Sequence, residues 1–163
     1  MLEQSIKAGI TLSQLLDGLA VVGPDLNCDV LAITDDSRHV TPGACFVAYP
    51  GEQLDGRHYI SDAIARGANV IIYENSSVLP HDVLCLLKED HHQVSAIPLA
   101  NCQQRLGVLG ARFYGFPSQQ MLGIGVTGTN GKSTVSYLIA AIYDYMQLKC
   151  GMMGTLGLGP ISE

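Results

Sequence analysis

No stretch of the 163 residues approaches the roughly 18 consecutive apolar positions of a membrane-spanning helix, so no span is expected. The opening segment, MLEQSIKAGITLSQLL, lacks the basic region and following apolar run of a secretory leader. Basic residues are scarce. Nine Lys and Arg against fifteen Asp and Glu leave a formal net charge of −6, which argues against a nucleic-acid surface built from clustered cations. The C-x-x-C spacing is absent. The five cysteines (Cys28, Cys45, Cys85, Cys102 and Cys150) are scattered and odd in number. Several sit in apolar strings such as ACFVAY and VLCLLK, where cysteine behaves as a small buried hydrophobe. That usage suits a reducing cytosol better than a disulfide framework or a metal site. His91 and His92 lie in the polar link KEDHHQ, and adjacent side chains point apart on any regular element, so a solvated loop fits better than a shared metal. Internal repeats and low-complexity tracts are also missing.

What is present is apolar content of 47%, enough for a core in one domain or two small ones. Thr11 or Ser13 is placed to cap a short helix through Leu15, Leu16 and Leu19, and Gly23-Pro24 then breaks the chain. Strand-like runs follow at 30–33, 45–49, 70–73 and 83–87. Between the second and third, HYISDAIARGAN carries Tyr59, Ile60, Ala63 and Ile64 at helical spacing, with Gly67 placed to end the helix. Strands alternating with helices predict an α/β fold. KEDHHQ marks an expected boundary, dividing the chain into 1–91 and 92–163. A long helix is predicted next, with Leu99, Cys102, Leu106, Leu109 and Phe113 on one stripe and Pro98 in its first turn. Gly115-Phe116-Pro117-Ser118 stops it.

The most informative stretch is MLGIGVTGTNGKSTVSYLIAAIYDYM, residues 121–146. An apolar run of strand length enters the glycine-rich loop 127–134 and then a helix with Val135, Leu138, Ile139, Ile142 and Tyr145 on one face. The loop resembles a phosphate-binding P-loop. Gly128 and Gly131 permit turns that a side chain would block, so successive N–H groups can converge on phosphate oxygens. Lys132 opens the helix within reach of β- and γ-phosphates, Ser133 offers a hydroxyl where magnesium would sit, and the helix N-terminus adds positive partial charge. The spacing departs from G-x-x-x-x-G-K-[ST], since Val126 stands where the first glycine belongs. The strand-loop-helix context nevertheless points to an ATP-using protein rather than a ligand-free turn. After the helix, KCGMMGTLGLGP can open a second strand at 150–153. Only two strands are then visible, so the second block is expected to be the start of a longer domain, its sheet covered by further chain or by a partner.

Three segments resemble one family, the Mur ligases. TDDSRHVTPGACFVAYPGEQLDGRHYISDAIARGANVIIYE resembles the N-terminal domain, with its D-S-R, P-G-x-x-F-V-A and D-G-x-x-[FY]-I elements. RLGVLGARFYGFPS resembles the entry to the central domain, and GVTGTNGKSTVSYLIAAIYDYMQLKCGMMGTLG the ATP loop with its following G-T-[LIV]-G. The last feature and F-Y-x-x-P-S are similar to the tripeptide-synthetase branch. The resemblance implies a cytoplasmic enzyme that uses ATP and magnesium to add a diamino acid, lysine or meso-diaminopimelate, to UDP-MurNAc-L-Ala-D-Glu through an acyl-phosphate. It implies that Lys132 is the catalytic charge on the β/γ-phosphates, that Ser133 is a magnesium ligand, and that main-chain N–H groups of residues 128–134 wrap the phosphates. Thr134 would lie near the α-phosphate, while Thr129 and Asn130 shape the loop. At the uridine diphosphate end it implies Asp35, Ser37 and Arg38, with Gln53 from the loop G-E-Q-L-D-G. Glu52 would point away, because a carboxylate facing a diphosphate is repelled.

The resemblance also implies that the residues completing the chemistry lie beyond Glu163, so the 163 residues alone are expected to form no amide bond. Two other readings stay open. One is a relative such as the ligase that adds the terminal dipeptide, or folylpolyglutamate synthetase. The other is a non-catalytic module binding nucleotide or muramyl peptide.

Overall fold

The computed structural model describes residues 9–76, 79–81, 83, 94–155 and 157–160. The chain forms two compact units, Met1–Gln120 and Met121–Glu163.

The first unit is an α/β layer structure around a four-stranded parallel sheet whose strands lie side by side in chain order. Its strands are Ala32–Thr34 (β3), Ala44–Ala48 (β4), Val70–Glu74 (β5) and Ser95–Leu99 (β6). β4 and β5 are central and covered on both faces, which explains why they read as unbroken apolar runs rather than alternating ones. The period-2 geometry of a strand then sorts neighbouring residues into two cores. Cys45, Val47, Val70 and Ile72 face Leu12, Leu15, Leu16, Cys102 and Leu109. Ala44, Phe46, Ile71 and Tyr73 face Ile60, Ala63, Ala68 and Val83. Each fully buried Leu, Ile or Phe among them contributes about 1.5–3 kcal/mol of transfer free energy.

Local signals place the helices. Thr11 caps the Leu12–Leu15 helix with a reciprocal capping box involving Gln14. The Ile60–Ala65 helix stops at Gly67, whose φ of +98° is accessible to glycine and leaves its Cα against Pro42; an added Cβ would sit 3.0 Å from Pro42 Cα.

Three expectations are corrected in this unit. The run at 30–33 is two strands, because Asp29–Val30 (β2) turns aside to pair antiparallel with Ile10–Thr11 (β1) before β3 enters the parallel sheet. Pro98 lies in β6, opposite Tyr73, and not in a helix. β6 is an edge strand, where a missing N–H breaks no ladder, and Ser95, Ile97 and Leu99 all point inward. The helix starts only at Cys102 and runs to Phe113, its first N–H groups held by the Glu74 carboxylate, which accepts from Asn101 N at 2.9 Å and Cys102 N at 2.6 Å. Since β6 completes the first sheet and this helix packs against it, the division falls at Gln120 and not at the polar link near residue 91. The strand expected at 83–87 lies outside the described residues apart from Val83, which is buried.

The second unit comprises the Lys132–Tyr145 helix and an antiparallel hairpin of Met152–Gly154 (β7) and Gly157–Gly159 (β8). Residues 121–126 form no strand, a further correction. Met121, Leu122 and Ile124 are exposed, and an apolar run becomes a strand only where a ladder partner exists. The helix forms as its local sequence dictates. Its apolar stripe at Val135, Leu138, Ile142 and Tyr145 is exposed, and only Ala140 is buried. Among the described residues no helix is long and apolar enough to cross a membrane.

Candidate functional site

Two clefts collect the candidate residues, one in each unit. In the second unit Gly128 and Gly131 take φ of +146° and +76°, and Gly131 immediately precedes the helix. The first helical N–H groups have no intrahelical acceptor and are available to an anion. Lys132 folds back on the loop: its Nζ donates to Gly128 O at 2.6 Å and Thr129 O at 3.3 Å. The ammonium therefore sits among the loop carbonyls, close to the backbone that would surround a phosphate. Ser133 Oγ lies 3.3 Å from Thr155 Oγ1, and Ser136 Oγ donates to Lys132 O at 2.9 Å. Lys132, Ser133, Ser136 and Thr155 line a cleft of about 190 Å³ together with Val126, Met152, Met153 and Gly154. Thr129 and Asn130 on the loop, and Thr134 in the first turn of the helix, are exposed and outside this lining.

In the first unit a cleft of about 500 Å³ opens where β3 and β4 end. The carboxyl ends of parallel strands are where open α/β sheets bind ligands, because loops diverge there. Asp35, Asp36, Ser37 and Arg38 follow β3; Tyr49, Gly51, Leu54, Gly56 and Tyr59 follow β4. Asp36 organises its side of the cleft. Its Oδ1 accepts from Arg38 N at 2.9 Å, capping the turn Ser37–His39, and both carboxylate oxygens accept from the Arg38 guanidinium, the shortest bond being Nη2 to Oδ2 at 2.6 Å. These bonds hold the Asp36 carboxyl well below the usual carboxylate range. Arg38 remains 80% exposed, so the staple fixes its direction while the rest of the fork faces solvent beside the cleft.

Asp55 and Arg57 repeat this device with the opposite outcome. Asp55 caps its own turn and accepts from Arg57 Nε and Nη2 at 3.0 and 2.8 Å. Arg57 is only 8% exposed, and its Nη1 donates to Ser76 Oγ at 2.7 Å and Glu74 O at 3.4 Å. This arginine ties the loop after β4 to the end of β5. The loop itself is tight: Gly51 N donates to Leu54 O at 2.8 Å, and Gly56 N to Tyr49 O at 2.9 Å.

Tyr49 is a site residue that sequence reasoning did not single out. Its hydroxyl donates to Asp35 Oδ2 at 2.7 Å, and that bond, reinforced by burial, raises the phenol to about 12. The only sequence signal for it was its position just past a buried strand. Asp35, Ser37 and Arg38 line this cleft together. Gln53 does not join them; it is exposed and outside the cleft lining, as is Glu52, and the loop contributes Gly51, Leu54 and Gly56.

The sequence matches the Mur ligase family, catalytic domain, across residues 30–114 and the Mur ligase middle domain across 126–161. It is 42% identical over 153 residues to the UDP-N-acetylmuramoyl-L-alanyl-D-glutamate--2,6-diaminopimelate ligase of Coxiella burnetii, covering 93% of this chain and 29% of that one. The Pseudomonas putida protein of the same name is 44% identical over 131 residues, covering 80% of this chain and 25% of that one. Among solved structures, MurF from Acinetobacter baumannii superimposes with a TM-score of 0.58 at 23% identity, covering 85% of this chain and 28% of that one, a likeness of fold. The chain thus spans less than a third of the length of these relatives. With the sheet and its 35–38 corner inside the first match and the glycine-rich loop inside the second, the chain belongs to the Mur ligase family.

Proposed function

We propose that this chain carries the UDP-substrate end and the phosphate-gripping loop of a cytoplasmic, ATP-dependent ligase of peptidoglycan precursor synthesis. The reaction is addition of a diamino acid, 2,6-diaminopimelate in the names of the relatives, to UDP-MurNAc-L-Ala-D-Glu. The observation that carries this reading is the loop geometry. Gly128 and Gly131 have positive φ, Lys132 is folded onto the loop, and a helix N-terminus lies behind them.

The chemistry follows from what the loop can hold. A carboxylate is a poor electrophile and repels a triphosphate, so phosphorylating it requires positive charge where the γ-phosphoryl moves. Lys132 would leave Gly128 O and Thr129 O for the β- and γ-phosphate oxygens, exchanging neutral acceptors for charged ones. The glutamate carboxylate attacks the γ-phosphorus and ADP leaves; the incoming amine then attacks the acyl-phosphate carbon, the C–O bond to phosphate breaks, and the amine loses its proton as the amide forms. The residues fit magnesium. Ser133 presents a hydroxyl on the cleft, a donor suited to an ion held mainly by nucleotide phosphates and water. When bound, magnesium would neutralise phosphate charge. Thr129, Asn130 and Thr134 would shape the loop and approach the phosphates through their backbone N–H groups.

In the first unit, Arg38 is the group for the uridine diphosphate. Its fork is aimed by Asp36 and still mostly exposed, whereas the matching Arg57 is enclosed. Asp35 and Ser37 line the same cleft and supply a carboxylate and a hydroxyl. Calorimetric titration of UDP-MurNAc-L-Ala-D-Glu into the chain tests this assignment. Saturable binding that Arg38→Ala weakens about 10-fold or more, the range of a charged hydrogen bond, is expected. Binding unaffected by Arg38→Ala would remove Arg38 from the site.

A further inference from the structure

We propose that Thr155, in the turn between β7 and β8, is a positioning residue for the metal-bearing nucleotide and acts through Ser133. The inference rests on the reading of the glycine-rich loop as an ATP site, and extends it to a residue outside that loop.

A serine hydroxyl has one hydrogen and two lone pairs. To serve a cation it must turn a lone pair toward the ion and send its hydrogen elsewhere. Inside a helix the usual recipient is the carbonyl four residues back. Ser136 does this, donating to Lys132 O at 2.9 Å. For Ser133 that carbonyl is Thr129 O, which belongs to the loop before the helix and takes no bond from the Ser133 hydroxyl. The side-chain partner Ser133 does have is Thr155 Oγ1, 3.3 Å away and 22 positions along the chain. If Thr155 accepts the hydrogen, both Ser133 lone pairs are left for the cleft that the two residues line with Lys132.

The hairpin holds Thr155 in place. β7 and β8 pair Gly154 with Gly157, so the ladder closes directly around the turn, and Gly157 takes a φ of +125° that glycine accommodates. The G-T-L-G string therefore has a physical role. Its glycines flank the turn as a ladder pair, and the threonine hydroxyl is presented to the start of the phosphate-binding helix. Because both residues lie in the second unit, the contact needs nothing from the first.

The test uses the full chain and fluorescent ADP, titrated with magnesium and again in excess chelator. Thr155→Val keeps the shape and removes the hydroxyl; Thr155→Ser keeps the hydroxyl. Thr155→Val is expected to reduce the magnesium-dependent gain in ADP affinity about 3–10-fold, the effect of one neutral hydrogen bond, with metal-free affinity unchanged. Thr155→Ser should behave as the unsubstituted chain. In a Ser133→Ala background Thr155→Val should have no further effect, since the two act as one unit. The proposal is overturned if Thr155→Val leaves the magnesium gain intact, if it lowers affinity equally with and without metal, or if its effect persists without the Ser133 hydroxyl. Absence of any magnesium-dependent ADP binding by the unsubstituted chain would overturn the loop assignment itself, and this inference with it.

Discussion

Replacing Arg57 and Arg38 separately by alanine tests whether burial, rather than local motif, separates a structural arginine from a binding one. Both follow an aspartate by two residues, both are stapled to it, and both aspartates cap a short turn. Arg57→Ala deletes the bonds to Asp55 and those to Ser76 Oγ and Glu74 O, from a side chain 8% exposed. Asp55 loses its counter-charge too, as the comparably exposed Asp36 does in Arg38→Ala, so the contrast between the variants rests on the burial of Arg57. Stranding one member of such a pair costs about 3–5 kcal/mol. For a unit of this size that lowers the melting temperature by roughly 10–20 °C. Arg38→Ala removes a side chain that water already solvates, so the melting temperature should stay put while diphosphate affinity falls. Thermal unfolding followed by circular dichroism, with titration of the UDP-linked substrate on the same samples, reads both effects. The reasoning is refuted if Arg57→Ala melts within about 2 °C of the unsubstituted chain, or if the two variants lose equal stability.

Tyr49 gives a pH signature. Its phenol is raised from 10 to about 12, so the folded state holds the proton more tightly; the associated stability is complete below pH 10 and lost as pH rises toward 12. Phenolate absorbance should show a late-titrating group that Tyr49→Phe removes and Asp35→Asn shifts downward. Asp55 behaves oppositely. Arg57 lowers its carboxyl, so its contribution is present above the unfolded carboxylate pKa and disappears as acid protonates the folded form, and Asp55→Asn should flatten that part of an acid-unfolding curve. Gly67→Ala should cost about 1–2 kcal/mol in urea unfolding, because alanine at φ +98° is strained and its Cβ meets Pro42. Lys132→Ala should weaken ATP binding about 10-fold or more while leaving the melting of the first unit unchanged, and unaltered ATP affinity would exclude Lys132 from phosphate contact.

Much of the local architecture could be read before any tertiary contact was known. The Thr11 cap, the Gly67 stop and the helix opening at Lys132 all follow from interactions within about four residues, whose chemistry the order of the chain specifies. The same holds for the glycine-rich loop. The central strands β4 and β5 were legible because fully buried strands leave apolar runs between turn signals, whereas β6 was not. Pro98 misled because a proline fits the first turn of a helix and an edge strand equally well, and only pairing with β5 chose between them. The run at 121–126 has strand chemistry without a strand, because a ladder needs a second chain segment alongside. The separation of Arg38 from Arg57, the Tyr49–Asp35 bond and the Ser133–Thr155 contact were decided by tertiary structure alone. Local sequence determines which groups can cap, turn or donate. Burial and partners 14 to 28 positions away, as for Tyr49, Thr155 and Glu74, are set only when the sheet and hairpin close.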